Sequence, residues 1–314
     1  MNLEENTEMK VGFISLSDIY PLINHPDSLA IPDLKDMKKE QIQYFMLNSE
    51  FRKRFLAGTK ISETDKVFIY DYSTDVLHSF FVKHLNVVAY LNNYRSPDEC
   101  CPYSSICDHC DQYDYRIGFE IKKQFLTGLS VSYENVLVYV GKGNPFERGQ
   151  MKAIVWEKVN SNDFPLAKAN HKIDSVYNIS KIAARGNTYL YETNELQYFI
   201  KDFTHVIQDF THANYYHVER RHLLIIDKKN SKVVVEELFY SSESSSPNEL
   251  NFGIDREDFP APEYENYKYQ WTGKLFKNKP PVVFGFEWVA YQCPHITWIG
   301  STKENIVINC DNRD

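Results

Sequence analysis

The spacing of apolar residues changes near residue 66. Before it, Met37, Ile42, Phe45 and Met46 recur near helical spacing and predict a helix over Asp36–Leu47. Ser49 then reads as the N-cap of a second helix, with Phe51, Phe55 and Leu56 on one side and Gly58 as its stop. Val11–Leu16 reads as a first short strand, and the stretch from Pro21 to Pro32 as loop. From Lys66 onward the period is two, and β-branched and aromatic residues dominate. Val67–Tyr72 and Val76–Val82, separated by Ser73-Thr74-Asp75, predict a hairpin. Leu85–Leu91, Tyr115–Ile121, Val136–Val140 and Met151–Val159 continue the series. His222–Ile226 and Val233–Tyr240, joined by the polar turn Asp227–Ser231, form the clearest hairpin. Trp271–Phe276, Val282–Tyr291, Ile296–Ile299 and Ile306–Asn309 close the list, with Ser241–Pro247 read as an exposed loop and Gly253–Tyr267 as an acidic, Pro-containing segment.

About a dozen candidate strands and few helices after residue 60 predict a mostly β (α+β) chain. Its expected form is a large antiparallel sheet body, sandwich or barrel-like, with a short helical N-terminal segment. A β-propeller is the alternative, although no self-similar repeat marks blades. The expected division is 1–62 for the tail, short strand and helices, and 63–314 for the β body, with a Cys-rich loop at 96–113.

Composition narrows the partners. The chain has 314 residues, 43% hydrophobic and 25% charged, with 22 Tyr and 20 Phe, enough to bury a core. Its formal charge of −8 argues against a nucleic-acid partner and against a polybasic membrane surface. No apolar run approaches the ~18 residues of a transmembrane segment. The first ten residues are polar and acidic, unlike a signal peptide. The compartment therefore rests on the cysteines: either periplasmic or otherwise extracytoplasmic, with a leader removed, or cytoplasmic.

Four of the six cysteines, Cys100, Cys101, Cys107 and Cys110, lie within eleven residues. The other two, Cys293 and Cys310, flank the last predicted hairpin. A turn centred on Ser301 and Thr302 sets them directly opposite each other, at the ~4.5–5.5 Å Cα separation a disulfide accepts. A bridge there closes a loop for which chain entropy gives about 3 kcal/mol. The cluster admits two chemistries. As disulfides, it staples a loop without a core, and an even cysteine count suits an oxidising compartment. As thiolates, Cys101, Cys107 and Cys110 with His109 offer a zinc ligand set, the alternative cofactor. Adjacent cysteines seldom ligate one ion together, and no second Cys-x-x-Cys follows, so disulfides are preferred and no cofactor is expected.

No catalytic residue is assigned. Gly141-Lys142-Gly143 lacks the third glycine of a dinucleotide loop and the Lys-Ser/Thr of a P-loop. The tetrapeptide Asp-Phe-Thr-His occurs twice, ending at His205 and His212. On a helix those histidines lie ~10.5 Å apart along the axis, and on one strand they face opposite ways, so neither geometry makes a metal site. His217 and His222 beside Arg220 and Arg221 suggest a local basic patch. Trp271, Phe286 and Trp288 read mostly as core, or as a groove for a glycan or partner, with Phe284, Phe286 and Trp288 on one strand face.

The expectation is a non-enzymatic, extracytoplasmic bacterial binding protein with a protein partner. An inhibitor or immunity protein that neutralises a basic toxin is one such form, with the acidic surface steering the encounter. The alternatives are a zinc-binding protein or hydrolase organised around residues 100–110, and a glycan-binding module. Intact mass spectrometry separates these compartments. Reduction of the denatured protein is expected to add two hydrogens per bridge and to involve all six cysteines. Six free thiols and a metal ion lost on denaturation would instead make the cysteine cluster the functional centre of a cytoplasmic protein.

Overall fold

The computed structural model describes residues 11–13, 19–21, 31–34, 37–91, 115–130, 135–170, 186–208, 214–252, 269–289, 295–301 and 305–309, with the backbone alone at 11–13, 19–21, 123, 204–208, 214–219 and 307–309. The chain divides into two compact units, one of Met1–Gly149 with Ile306–Asp314 and one of Gln150–Asn305. The boundary drawn at residues 62 and 63 falls inside the first unit. The cysteine loop at 96–113 lies outside the described residues.

In the first unit, one antiparallel sheet runs Val76–Phe81, Lys66–Asp71, Val136–Gly141, Val11–Phe13. Ile306–Asn309 adds to Val11–Phe13 in parallel. A second, antiparallel sheet runs Ile19–Pro21, Tyr115–Glu120, Val87–Leu91, Tyr44–Met46. Alternation explains the packing. Val67, Ile69, Val136 and Val138 from one sheet share a core with Val87, Ala89, Tyr115, Ile117 and Phe119 from the other. Phe55 and Leu56 of the helix Ser49–Thr59 enter the same core, which is why the helical segment belongs with these strands. Phe55 meets Phe119 edge-on at 5.5 Å, a favoured aromatic geometry.

Two local expectations shift. The helix starts from Asn48, not Ser49: Asn48 Oδ1 accepts from the backbone N–H groups of Glu50 and Phe51. It ends at Lys60, whose φ of 57° supplies the left-handed cap. Asp36–Leu47 is not one helix. A four-residue turn, Lys39–Ile42, passes into the strand Tyr44–Met46. The segment contains its own period-two triplet, buried Phe45 between exposed Tyr44 and Met46, and pairing with Val87–Leu91 selects it.

In the second unit, a five-stranded antiparallel sheet runs Glu157–Val159, Thr188–Glu192, Leu196–Gln208, Asn214–Asp227, Val233–Tyr240. A further antiparallel sheet runs His295–Trp298, Val282–Phe284, Trp271–Gly273, Met151–Ala153. Tyr198, Ile200, Leu223 and Ile225 from the first pack with Ile154, Val283, Phe286 and Ile299. The stretch Val282–Tyr291 does not run as one strand. Gly285, at φ 88°, breaks it: a Cβ there would lie 1.9 Å from the Tyr269 carbonyl oxygen. Glu287–Val289 turns away and pairs with Ser245–Pro247, inside the stretch read as a loop. Phe284, Phe286 and Trp288 therefore do not share one strand face.

The described chain is mostly β with several antiparallel sheets and few helices, sandwich-like. Among the described residues no sheet closes on itself, and the unequal sheets do not repeat as propeller blades. No helix among them is long and apolar enough to cross a membrane.

One carboxylate fixes the first unit's clearest hairpin. Asp71 is fully buried, and its Oδ1 accepts from Ser73 N–H, Ser73 Oγ and Thr74 N–H while Oδ2 accepts from Ser130 N–H. Burial alone would raise its pKa, but the bonds from Ser73 and Ser130 outweigh burial and hold the carboxyl below its usual 3.8. Its stabilisation is present above that value and is lost as pH falls through the lower folded one. Asp71→Ala is expected to cost about 3 kcal/mol at neutral pH, read as a lower urea midpoint at unchanged slope.

Candidate functional site

The middle of the five-stranded sheet is covered on both faces. Tyr198, Phe199 and Ile200 on one strand and Leu223–Ile226 on the next are all buried. Such a continuous apolar run is the mark of a strand packed on both sides. Polar residues that continue the run must then be satisfied internally. They are Lys201 and Asp202 on one strand, Arg221 and His222 on the other, and the register sets Lys201 opposite His222 and Asp202 opposite Arg221. Because successive residues alternate, the two pairs occupy opposite faces.

Asp202 and Arg221 form a buried, bidentate ion pair. Arg221 Nε donates to Asp202 Oδ1 at 2.7 Å and its Nη2 to Oδ2 at 2.9 Å, and Nη1 donates to the Asn248 carbonyl. The two-pronged geometry is what lets a buried guanidinium and carboxylate offset their desolvation. Gly186 lies against this pair. At φ 146°, any Cβ would fall 1.7 Å from the Asp202 carbonyl oxygen, so only glycine admits the close backbone approach.

The other face carries Thr188, Lys201 and His222 in register across three strands, with Glu236 of a fourth strand diagonal to His222, two positions from its register partner Leu238. His222 Nε2 lies 3.0 Å from Glu236 Oε1, so with Glu236 ionised the ring donates through Nε2. Glu236 also accepts from Asn170 N–H at 2.9 and 3.0 Å. His222 Nδ1 has no hydrogen-bond partner among the described residues. Lys201 Nζ donates to the carbonyls of Ser161 and Gly186 at 3.3 and 3.4 Å. Phe164 lies over the imidazole, with ring centroids 5.2 Å apart. Burial pushes the Lys201 amine below its usual pKa. Burial also pushes His222 down, against the opposing pull of Glu236, so the imidazole is neutral near pH 7.

A neutral imidazole bonded to a carboxylate, beside a desolvated amine, has the composition of a proton relay. Access decides what it does. Lys201 is 2% exposed and His222 0%, and the segment 161–170 contributes Phe164, the Asn170 N–H and the Ser161 carbonyl to the row. The row thus joins three strands to that segment, and its chemistry is internal.

The sequence-derived candidates separate by exposure. Arg221 is the buried ion-pair partner of Asp202, and His222 is enclosed, so neither joins a surface basic patch. Trp271 is buried between Phe284 and Ala153 in register. Phe286 stacks on Phe239 at 5.6 Å. Trp288 is 55% exposed, and Arg220 is half-buried with its guanidinium 6.0 Å above the Tyr240 ring. Cys100, Cys101, Cys107, His109, Cys110, Cys293 and Cys310 lie outside the described residues, so the disulfide and zinc expectations fall there too. Lys201, Asp202 and Glu236 escaped the sequence reading. The signal was Leu223–Ile226: four apolar residues without alternation imply burial of their polar neighbours as well.

Neither a protein-family model, nor a curated protein, nor a solved structure matches this chain.

His222 generates a pH prediction. The unfolded chain protonates this histidine near pH 6.5 and the folded one only at lower pH, so the unfolded state binds more protons in between. Stability contributed by the neutral ring is complete above 6.5 and declines as pH falls toward the folded value. Urea midpoints measured from pH 7.5 to 5 are expected to fall less steeply for His222→Gln than for wild type. Parallel curves would mean that His222 does not titrate differently on folding.

Proposed function

We propose that this protein is a non-enzymatic binding protein that acts through its surface on a protein partner. The observation that carries the reading is the side-chain set around the Ser245–Pro247 and Glu287–Val289 hairpin. Trp288 stands more than half exposed opposite Ser246, and Ser245 Oγ donates to the Tyr240 carbonyl at 3.1 Å. Tyr240 in turn lies under the Arg220 guanidinium, its register partner. Trp, Tyr and Arg are the residue types enriched where binding energy concentrates. Lys201 and His222, whose ionisation burial perturbs, are enclosed, which supports binding over catalysis as the use of this unit.

The net charge of −8 suits a basic partner, since long-range attraction raises the encounter rate. An extracytoplasmic, periplasmic inhibitor or immunity protein acting on a basic protein toxin is the specific form this reading takes. The same exposed indole also supports a second reading, a glycan-binding module, because an aromatic face suits a sugar ring as well as a protein.

The four tryptophans make the reading measurable. Trp156, Trp271 and Trp298 are buried, so a soluble quencher is expected to reach Trp288 and to lose most of its effect in Trp288→Phe. A partner purified on the wild-type chain is expected to shield that fluorescence. Trp288→Ala is expected to weaken the complex at least tenfold, about 1.4 kcal/mol, without lowering the melting temperature. Equal affinity for both chains would remove this surface from the interface. Fluorescence changes with oligosaccharides but with no protein would favour the glycan reading.

A further inference from the structure

The first sheet of the first unit ends in a strand that is paired on one side. Val76–Phe81 pairs with Lys66–Asp71, and among the described residues no strand pairs with its other edge. An open edge presents unpaired N–H and C=O groups, which proteins usually guard with charged residues, proline or a bulge. Val76-Leu77-His78-Ser79-Phe80-Phe81 contains no Lys, Arg, Asp, Glu or Pro, and its six register pairs run without a slip. One face holds the strand in place. Phe80 packs against the core, and His78 Nε2 lies 2.9 Å from the Thr127 carbonyl oxygen. Leu77, Ser79 and Phe81 alternate to the other face, where Ser79 and Phe81 are exposed.

Basic groups gather around the exposed Phe81 ring. Lys66, its register partner, sets Nζ 4.5 Å from the ring centroid, and Lys83 sets Nζ 5.5 Å from it. The His84 imidazole meets the same ring edge-on at 5.9 Å. Neither ammonium forms an ion pair with a described residue. The acidic residues just before Lys66 are committed elsewhere, Glu63 to Arg52 and Asp65 Oδ2 to the Ser62 N–H.

We propose that the edge of Val76–Phe81, with Lys66 and Lys83 beside the Phe81 ring, is a docking site for an extended acidic segment of a partner protein. Such a segment adds a strand to the sheet. Its backbone supplies the missing hydrogen bonds, and every second side chain stands beside Leu77, Ser79 and Phe81. A carboxylate beside Phe81 then enters the field of both ammoniums. The net charge of −8 opposes an acidic partner at long range, so recognition rests on contact, within a Debye length of ~8 Å. This surface lies in the first unit and is independent of the reading at Trp288.

The test uses the full chain and two fluorescein-labelled peptides, one alternating Glu with Val and the other alternating Lys with Val, read by fluorescence anisotropy. The Glu peptide is expected to bind one per chain, and the Lys peptide at least tenfold more weakly. Methylating the backbone nitrogens of the Glu peptide removes its donors and is expected to abolish binding. Lys66→Gln and Lys83→Gln are each expected to weaken the complex about threefold, and the double variant about tenfold. Phe81→Ala is expected to cost about threefold as well. Lys158→Gln, at an exposed lysine on an edge strand of the second unit, is expected to bind like wild type. Circular dichroism and melting verify that each variant folds, and Lys→Met replacements serve wherever a glutamine variant does not. No binding of the Glu peptide, equal binding of the two peptides, or wild-type affinity in the double lysine variant would overturn the site. A dimer of the chain that Phe81→Ala dissociates would assign the edge to a second copy instead and overturn it too.

Discussion

Two-sided burial of the central strand pair governs the second unit. Leu223–Ile226 and the facing Tyr198–Ile200 leave no solvent route for groups at the ends of their run. An ion removed from water costs several kcal/mol unless partners replace its hydration. Each face answers differently. On one, Arg221 and Asp202 neutralise each other in a bidentate pair, and losing either partner alone would cost roughly 3–5 kcal/mol. On the other, no carboxylate directly opposes Lys201. Its amine relies on two long bonds to carbonyls, and the ring opposite stays neutral. Burial keeps His222 neutral against the opposing pull of Glu236, which holds the ring through Nε2.

That arrangement also orders the surrounding chain. Ser161, Phe164 and Asn170 all make their contacts with this row, while Gly186 gives its carbonyl to Lys201 and its missing side chain to Asp202. A small apolar cluster, Phe164, Leu224 and Ile226 among it, completes the cover. The polar row therefore specifies where segment 161–170 lies, and the apolar cluster contributes the burial. The first unit uses the same device at a turn, where the single carboxylate of Asp71 gathers N–H donors from Ser73, Thr74 and Ser130.

The legible part of the fold was its periodicity. Val67–Tyr72 and Val76–Val82, and the hairpin around Asp227–Ser231, were readable because one element of alternation or one turn decides them. Three things were not. A helix-spaced run at 36–47 concealed a strand triplet, and only pairing with Val87–Leu91 chose between them. Val282–Tyr291 showed uninterrupted strand composition, yet Gly285 must take a positive φ to let the Tyr269 backbone pass. The long pairing of Leu196–Gln208 with Asn214–Asp227 was obscured by its polar residues, since Lys201, Asp202, Arg221 and His222 look like surface until their partners are known. The site was less legible still. Trp271, Phe286 and Trp288 have similar sequence surroundings, and burial separates them only through which sheet each backbone joins.

Binding and catalysis place different physical demands on a surface. Catalysis needs ionisable groups that are both perturbed and reachable, because a substrate must displace their present partners. In the large sheet Lys201 and His222 are perturbed and enclosed. Binding requires only that a rigid element hold an apolar or aromatic group in water at little entropic cost. Trp288 meets that condition, because its strand is paired to Ser245–Pro247 and that strand is anchored to the large sheet through Ser245 and Tyr240. The interior of this unit accounts for its order, and its edge holds one large aromatic side chain in water.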